Sequence, residues 1–303
     1  MAARCHFLSE FSLTSEREAV WAALTAIRDW PTWWHSLKRV DLERDATSDD
    51  GVGGIYRLHV RAPTGANGIH TTESDGVTVS GNTVAGNAEH GTAILWMVGG
   101  EVVGNTSRSN VNGGIVLWDS INVLVSGNAA SENGTSGIAL DNGTTASTVV
   151  DNTADRNGQG FEVEDSDGNT LTGNSASGNT YNGFVLWYSS ASNVLEENTA
   201  NENHDQGFVL VGANANELAR NTANGNVNFG FVVVEGASNN TMSRNAAHEN
   251  ASLDAVEDGA GTGNVWLRNS FGTTYGLFLA EAPARWNIRG LGSSCMPTSC
   301  SRC

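Results

Sequence analysis

From Gly68 onward the apolar residues come in short alternating runs, each opened by a glycine at 68, 91, 114, 137, 160, 183, 207 and 230. In Phe184-Val185-Leu186-Trp187, alternation sends Phe184 and Leu186 to one face and Val185 and Trp187 to the other, which is the period of a strand. Ile115 with Leu117, Ile138 with Leu140, Phe161 with Val163, Phe208 with Leu210 and Phe231 with Val233 keep that order. A second run in each unit supplies Val123 and Val125, then Leu171, Val194, Leu218, Met242 and Val265. A third supplies the small column Ala130, Ala154, Ala176, Ala200, Ala223 and Ala247. Three short strands per unit are predicted, each donating one inward column.

Between the runs the polar residues repeat as strictly as the apolar ones. Asparagine followed by Thr, Ala or Ser stands at 82, 105, 128, 152, 174, 198, 221, 245 and 269, and a second asparagine follows five residues later at 87, 110, 133, 157, 179, 203, 226 and 250. A fixed beat of this size means stacked units, none able to bury its hydrophobic face alone. Gly, Asn, Ser and Thr dominate every unit, so helices are disfavoured. A coil that returns to the same point each turn must pair its strands in parallel, and right-handed crossovers are the rule. The expected fold is therefore all-β: a right-handed parallel β-helix, a solenoid of about nine turns of about 23 residues, over residues 63–280. Asparagine tolerates φ > 0 at turns and can bond its own copy one turn away, and glycine at the strand entrance accepts unusual backbone angles. Asp254 falls where the glycine normally sits, so fraying is expected at Leu253–Glu257.

The G-[IF]-x-[LV] strand, the N-x-[IVL] strand and the N-[TAS]-x-x-x-N turn closely resemble NosD-like and pectate-lyase-like right-handed parallel β-helix repeats. That resemblance implies the fold. Its functional implications range from polysaccharide lyases, hydrolases and epimerases to copper-insertion accessory proteins and coils with no known activity.

Residues 1–62 carry a different pattern. His6 to Leu13 reads as a strand, and Ser15 with Glu18 forms a capping box for a helix striped by Val20, Ala23, Leu24 and Ile27. Trp30-Pro31-Thr32-Trp33-Trp34 breaks it, and Val40–Glu43 and Ile55–Val60 read as two further strands. This order resembles the opening of an SRPBCC (polyketide cyclase or START-like) domain, truncated near Val60. As a small α+β segment it is expected to cap the open N-terminal end of the coil, since solenoid ends expose edges and core. Residues 281–303 show no period and read as an irregular tail holding Cys295, Cys300 and Cys303.

Charge narrows the partners. Residues 63–280 hold 23 Asp plus Glu against five Arg and no Lys, a net of −18. Such a surface repels nucleic acid and anionic lipid, so neither is expected as a partner, and no apolar stretch is long enough for a membrane helix. No cofactor and no metal site are expected, and calcium enters only as an ion that acidic surfaces attract. Copper handling would need clustered Met, His or Cys; Met97, Met242, His70, His90, His204 and His248 are scattered. The chain opens without a basic-then-apolar leader, and an extracytoplasmic location follows from the resemblance alone.

Counting from each glycine sets one outward column at Trp96, Trp118, Asp141, Glu164, Trp187, Val211 and Val234, with Glu162 two residues before Glu164 on the same face. Asp119, Asn142, Asp165 and Tyr188 form the neighbouring column. Carboxylates bracketed by indoles suit a glycan: rings stack on apolar sugar faces, and acids bond hydroxyls or move protons. The candidate catalytic residues are Asp141, Glu164, Glu162, Asp119 and Asp165, and the candidate substrate-binding residues are Trp96, Trp118, Trp187 and Tyr188. Adjacent turns lie ~4.8 Å apart and turns two apart ~9.6 Å, which brackets the carboxyl separations of retaining and inverting glycosidases. The expected function is polysaccharide binding with weak glycoside hydrolysis. The alternative is a non-catalytic structural or interaction solenoid, which requires Trp118 and Trp187 to be covered by the terminal segments.

Overall fold

The computed structural model describes residues 37–44, 55–60 and 67–276. The expected helix Ser15–Ile27, the Trp30–Trp34 segment and the cysteine tail lie outside the described residues, as does any capping by them. Of the three strands expected before residue 62, His6–Leu13 also lies outside the described residues, and the other two are present as an antiparallel pair, Leu37–Arg44 with Ile55–Val60, with Val40 opposite Leu58 in the register.

From Ile69 to Tyr275 the chain winds through three parallel sheets of ten, nine and nine strands, one strand of each per turn. The first sheet runs from Ile69–Thr72 to Thr274–Tyr275, the second from Thr78–Ser80 to Val265–Leu267, and the third from Thr83–Ala85 to Ser270–Phe271. Equivalent residues stack in register: Phe161 opposite Phe184, Phe184 opposite Phe208, Phe208 opposite Phe231. Their rings form an inner column with centroids 4.6, 4.8 and 4.8 Å apart and nearly parallel planes. All four are buried. Each fully buried side chain of this size contributes ~1.5 to 3 kcal/mol, so a turn with several of them holds its neighbours firmly.

The asparagines are not the left-handed residues of the turns. Positive φ falls on the residue before them: Glu197 (φ 56), Arg220 (φ 56), Arg244 (φ 55) and Arg268 (φ 53) precede Asn198, Asn221, Asn245 and Asn269. That frees each asparagine to turn inward, where its Oδ1 accepts both the backbone N–H and an Nδ2–H of the asparagine one turn before. Asn198 Oδ1 accepts Asn174 N at 2.9 Å and Asn174 Nδ2 at 3.0 Å. The remaining Nδ2–H reaches a core-strand carbonyl, Leu171 for Asn198 at 2.8 Å. A buried amide with all its groups paired costs little, and one repeated each turn fixes register.

A third ladder, Asn169, Asn193, Asn216, Asn240 and Asn264, runs beside the second sheet. It corrects the expected second column. The inward residue lies two after this asparagine, so Leu195 and Trp266 are buried where Val194 and Val265 were expected. The glycines at the strand entrance also serve another purpose than expected. At Gly207 φ is not positive; an added Cβ would lie 2.6 Å from the Gly230 carbonyl and 2.7 Å from the Ala223 Cβ. Space is the reason for glycine there.

Asp254 is a correction of a different kind. Instead of fraying, Leu253–Glu257 is a strand paired with Phe229–Val234 and with Thr274–Tyr275. The buried Asp254 ends the second ladder: Oδ1 accepts Asn250 Nδ2 at 2.7 Å, and Oδ2 accepts Gly272 N at 3.0 Å and Thr273 N at 2.9 Å. Glu257 ends the third ladder in the same way, accepting Asn264 Nδ2 at 2.9 Å and Trp266 Nε1 at 2.7 Å. A carboxylate is the natural terminus here, because the last amide leaves only donors to satisfy. Asp254→Ala is expected to cost about 2 to 3 kcal/mol and to open the last turn to protease, with cleavage appearing near Gly272 before the rest of the coil is touched.

Candidate functional site

The site lies on the outer face of the first sheet, and its position follows from strand alternation. Every second residue of Ile115–Trp118, Ser136–Asp141, Gln159–Glu164 and Phe184–Trp187 points away from the core. Register then places Trp118 opposite Asp141, Asp141 opposite Glu164, and Glu164 opposite Trp187, one continuous file along the coil axis. Glu162 shares this face, between Ala139 and Val185.

Trp96 is not in that file. Leu95 stands opposite Trp118, so the count from glycine ran one residue too far in that turn. Trp96 (φ 52) belongs to the adjoining file of left-handed residues with Asp119 (φ 48), Asn142 (φ 48), Asp165 (φ 47) and Tyr188 (φ 45). The structure thus sets the candidates in two files: Trp118, Asp141, Glu162, Glu164 and Trp187 on the strands, and Trp96, Asp119, Asp165 and Tyr188 on the turn beside them. Trp118 is 42% exposed and Trp187 half-buried, so neither indole is fully covered.

Three acids on neighbouring strands have distinct environments. Glu162 is fixed from both sides: Ser136 Oγ donates to Oε2 and Trp187 Nε1 donates to Oε1 at 3.0 Å. Asp141 is the opposite case, because its Oδ1 is buried without any hydrogen-bond partner. Burial, with the charges of Glu162 and then Glu164 added, pushes its carboxyl up to about 8. Glu164 is raised too, by its partial burial first and then by Glu162 and Asp165. A carboxyl group that burial drives toward its protonated form therefore sits beside one whose two oxygens are each anchored by a donor, an arrangement from which acid–base chemistry can start.

The rings frame this trio. Trp187 stacks on Tyr188 with centroids 5.9 Å apart and packs against the outward valines Val185, Val209, Val211 and Val232. These valines hold the indole down, and its N–H is spent on Glu162. Trp187 is thereby both a candidate stacking surface and the residue that positions Glu162. Sequence reasoning missed Ser136. It lies one residue before Gly137, in a file with His90, Gly113, Gln159 and Asn182 that the glycine count could have exposed. His90 belongs to the structure of that file: its Nδ1 accepts Gly113 N at 3.0 Å, and burial keeps its pKa below the usual value.

No group of three or more His, Cys, Asp or Glu among the described residues is arranged to hold a metal ion. Nor does any described helix have the length and apolar character to cross a membrane. Met97 and Met242 are buried in the core, unavailable to a surface metal.

Residues 50–200 match the family model described as right handed beta helix region, and residues 141–277 match the one described as periplasmic copper-binding protein (NosD). No curated protein matches the sequence. Among solved structures the chain is similar to an alginate lyase from Paenibacillus sp. str. FPU-7, with 16% identity, 72% of this chain and 90% of that one covered, and a TM-score of 0.60. It is similar also to the A-module of the Azotobacter vinelandii mannuronan C-5 epimerase AlgE4, with 17% identity, coverage of 68% and 61%, and a TM-score of 0.58. A mutant of the periplasmic alginate epimerase AlgG gives 20% identity, coverage of 59% and 47%, and a TM-score of 0.53. The chain thus spans about half of the AlgG chain, and identities this low show likeness of fold.

Proposed function

Because the chain is a right-handed parallel β-helix protein of the NosD-like, pectate-lyase-like type, we propose that it binds polysaccharide on the outer face of its first sheet and hydrolyses it weakly. The observation that carries the reading is the pairing of a protonated, partnerless Asp141 with a Glu162 anchored by Ser136 and Trp187, between indoles that stand on the surface. The similar fold of an alginate lyase and of a mannuronan C-5 epimerase module supports a glycan as the partner.

Asp141 would deliver its proton to the leaving oxygen of a glycosidic bond, and Glu162, or Glu164 beside it, would stabilise positive charge on the sugar or receive a proton from water. Trp118 and Trp187 would hold sugar rings by stacking, with Tyr188 extending the platform and Trp96 marking its far edge. Asp119 and Asp165 would bond hydroxyls from the turn. Carboxylates and rings carry this chemistry, and the proposal assigns no cofactor. Among the described residues the copper of the NosD family description does not fit the donor set: His70, His90, His204 and His248 form no group, and Met97 and Met242 are in the core. An extracytoplasmic location, where polysaccharides are met, accords with that same description.

A glycan array probed with the parent and with Trp187→Ala tests the reading. Loss of the indole removes a stacking surface and releases Glu162, so binding is expected to weaken at least about tenfold. A parent that binds nothing on the array would defeat the reading.

A further inference from the structure

The glycan reading leaves the charge of the substrate open, and the face itself speaks to it. In the left-handed turn file beside the site, successive turns present Glu73, Trp96, Asp119, Asn142, Asp165 and Tyr188. Carboxylates at Glu73, Asp119 and Asp165 thus recur every second turn, ~9.6 Å apart along the axis, with a ring or an amide between them. All three are exposed. The strands beside it add Glu162 and Glu164 on the same outer face.

No described Arg or Lys of the coil shares this face. Arg108 is on the outer side of the third sheet, and Arg156, Arg220, Arg244 and Arg268 occupy the left-handed positions before the ladder asparagines. Arg220 is moreover engaged by Glu196 and Glu197. Alginate carries a carboxylate on every sugar, so a chain of that kind laid along this face would meet like charge at Glu73, Asp119 and Asp165. Such juxtaposition costs several kcal/mol and selects against the wrong partner.

Resting on the reading that this face binds glycan, we propose that its substrate class is a cationic, amino-sugar polysaccharide, with Asp119 and Asp165 as the residues that select the amine. A polymer running along the coil axis would bring a protonated amine to each exposed carboxylate, relieving the repulsion among them, while Trp118 and Trp187 stack on the sugar rings. Uronic-acid polymers would be excluded by the same charges.

Calorimetric titration with three hexasaccharides tests this: fully deacetylated glucosamine, its N-acetylated counterpart, and mannuronate. The deacetylated hexamer is expected to bind about tenfold more tightly than the N-acetylated one at low salt, with the gap closing as salt is raised. Mannuronate is expected not to bind. The double variant Asp119→Asn/Asp165→Asn should erase the gap, bringing the deacetylated hexamer to the affinity that the same variant shows for the N-acetylated one. The control Glu202→Gln/Glu249→Gln, which removes as much charge from a distant corner, should keep it. Equal binding of both glucosamine forms, binding of mannuronate, or a gap closed by the control as well would overturn the amine assignment and leave the glycan reading standing. Failure of all three hexamers together with a blank glycan array would defeat the glycan reading itself.

Discussion

Replacing Asn198 by alanine is expected to remove about 3 to 5 kcal/mol of stability, far more than the size of the side chain suggests. The substitution removes the acceptor of two N–H groups of Asn174, its backbone amide and its side-chain amide, and takes the donor from the Leu171 carbonyl. Both Asn174 groups are buried where water cannot replace the lost partner, and each orphaned group costs about 1 to 3 kcal/mol. Thr199→Ala, one residue away on the outward side, is expected to change stability by no more than about 0.5 kcal/mol. Urea denaturation of the two variants measures the contrast, and amide exchange locates it: protection should fall at Asn174 and its neighbours in the Asn198 variant. Equal effects at 198 and 199 would mean that the ladders are passengers of the apolar core.

That prediction rests on a feature the sequence displays openly. A 22-to-24-residue beat in both apolar and asparagine positions leaves a solenoid as the one architecture that stacks like on like, and the Phe161–Phe231 column is where the beat puts it. The details that escaped have local causes. Val194-Leu195 and Val265-Trp266 offer two adjacent apolar residues each, so hydrophobicity cannot say which is inside; the third asparagine ladder decides, and its partners are seen only in space. Trp96 was placed one residue too far because Leu95 and Trp96 are adjacent apolar residues: the fourth residue after Gly91 is Leu95, which pairs with Trp118, and the indole falls on the left-handed turn residue that follows. Asp254 looked like an interruption of a glycine column. Its role as the terminal acceptor of a ladder appears only once the ladder is known to end there.

The candidate site was legible as composition and not as environment. Alternation put Asp141, Glu162 and Glu164 on one face, but nothing in the residue string says which acid keeps its proton. Burial without a partner decides it for Asp141, and the Ser136 hydroxyl that fixes Glu162 arrives from the neighbouring turn. Proton placement is a property of distances between turns, and a sequence records only distances along the chain.

The same asymmetry makes Asp141 a liability to the fold, and this can be measured. Its folded value of about 8 lies well above the ordinary 3.8. Between those values the unfolded chain has lost the proton that the folded chain still holds, so the unfolded state is favoured progressively as pH rises. The contribution of Asp141 to stability is therefore full below about pH 4, declines from there to about pH 8, and is flat above. Asp141→Asn removes the titration, and at neutral pH the variant is expected to be more stable than the parent by roughly 2 to 4 kcal/mol, a gap that vanishes near pH 4. Denaturation of both proteins across pH 4 to 8 gives the difference directly, free of the other carboxylates common to the two. A residue that the coil would be firmer without is one kept for some purpose other than folding, which is how functional acids stand out in stable scaffolds. A parent and variant of equal stability at every pH would show that Asp141 is ionised and solvated like any surface acid, and the proton donor of the proposed hydrolysis would be lost with it.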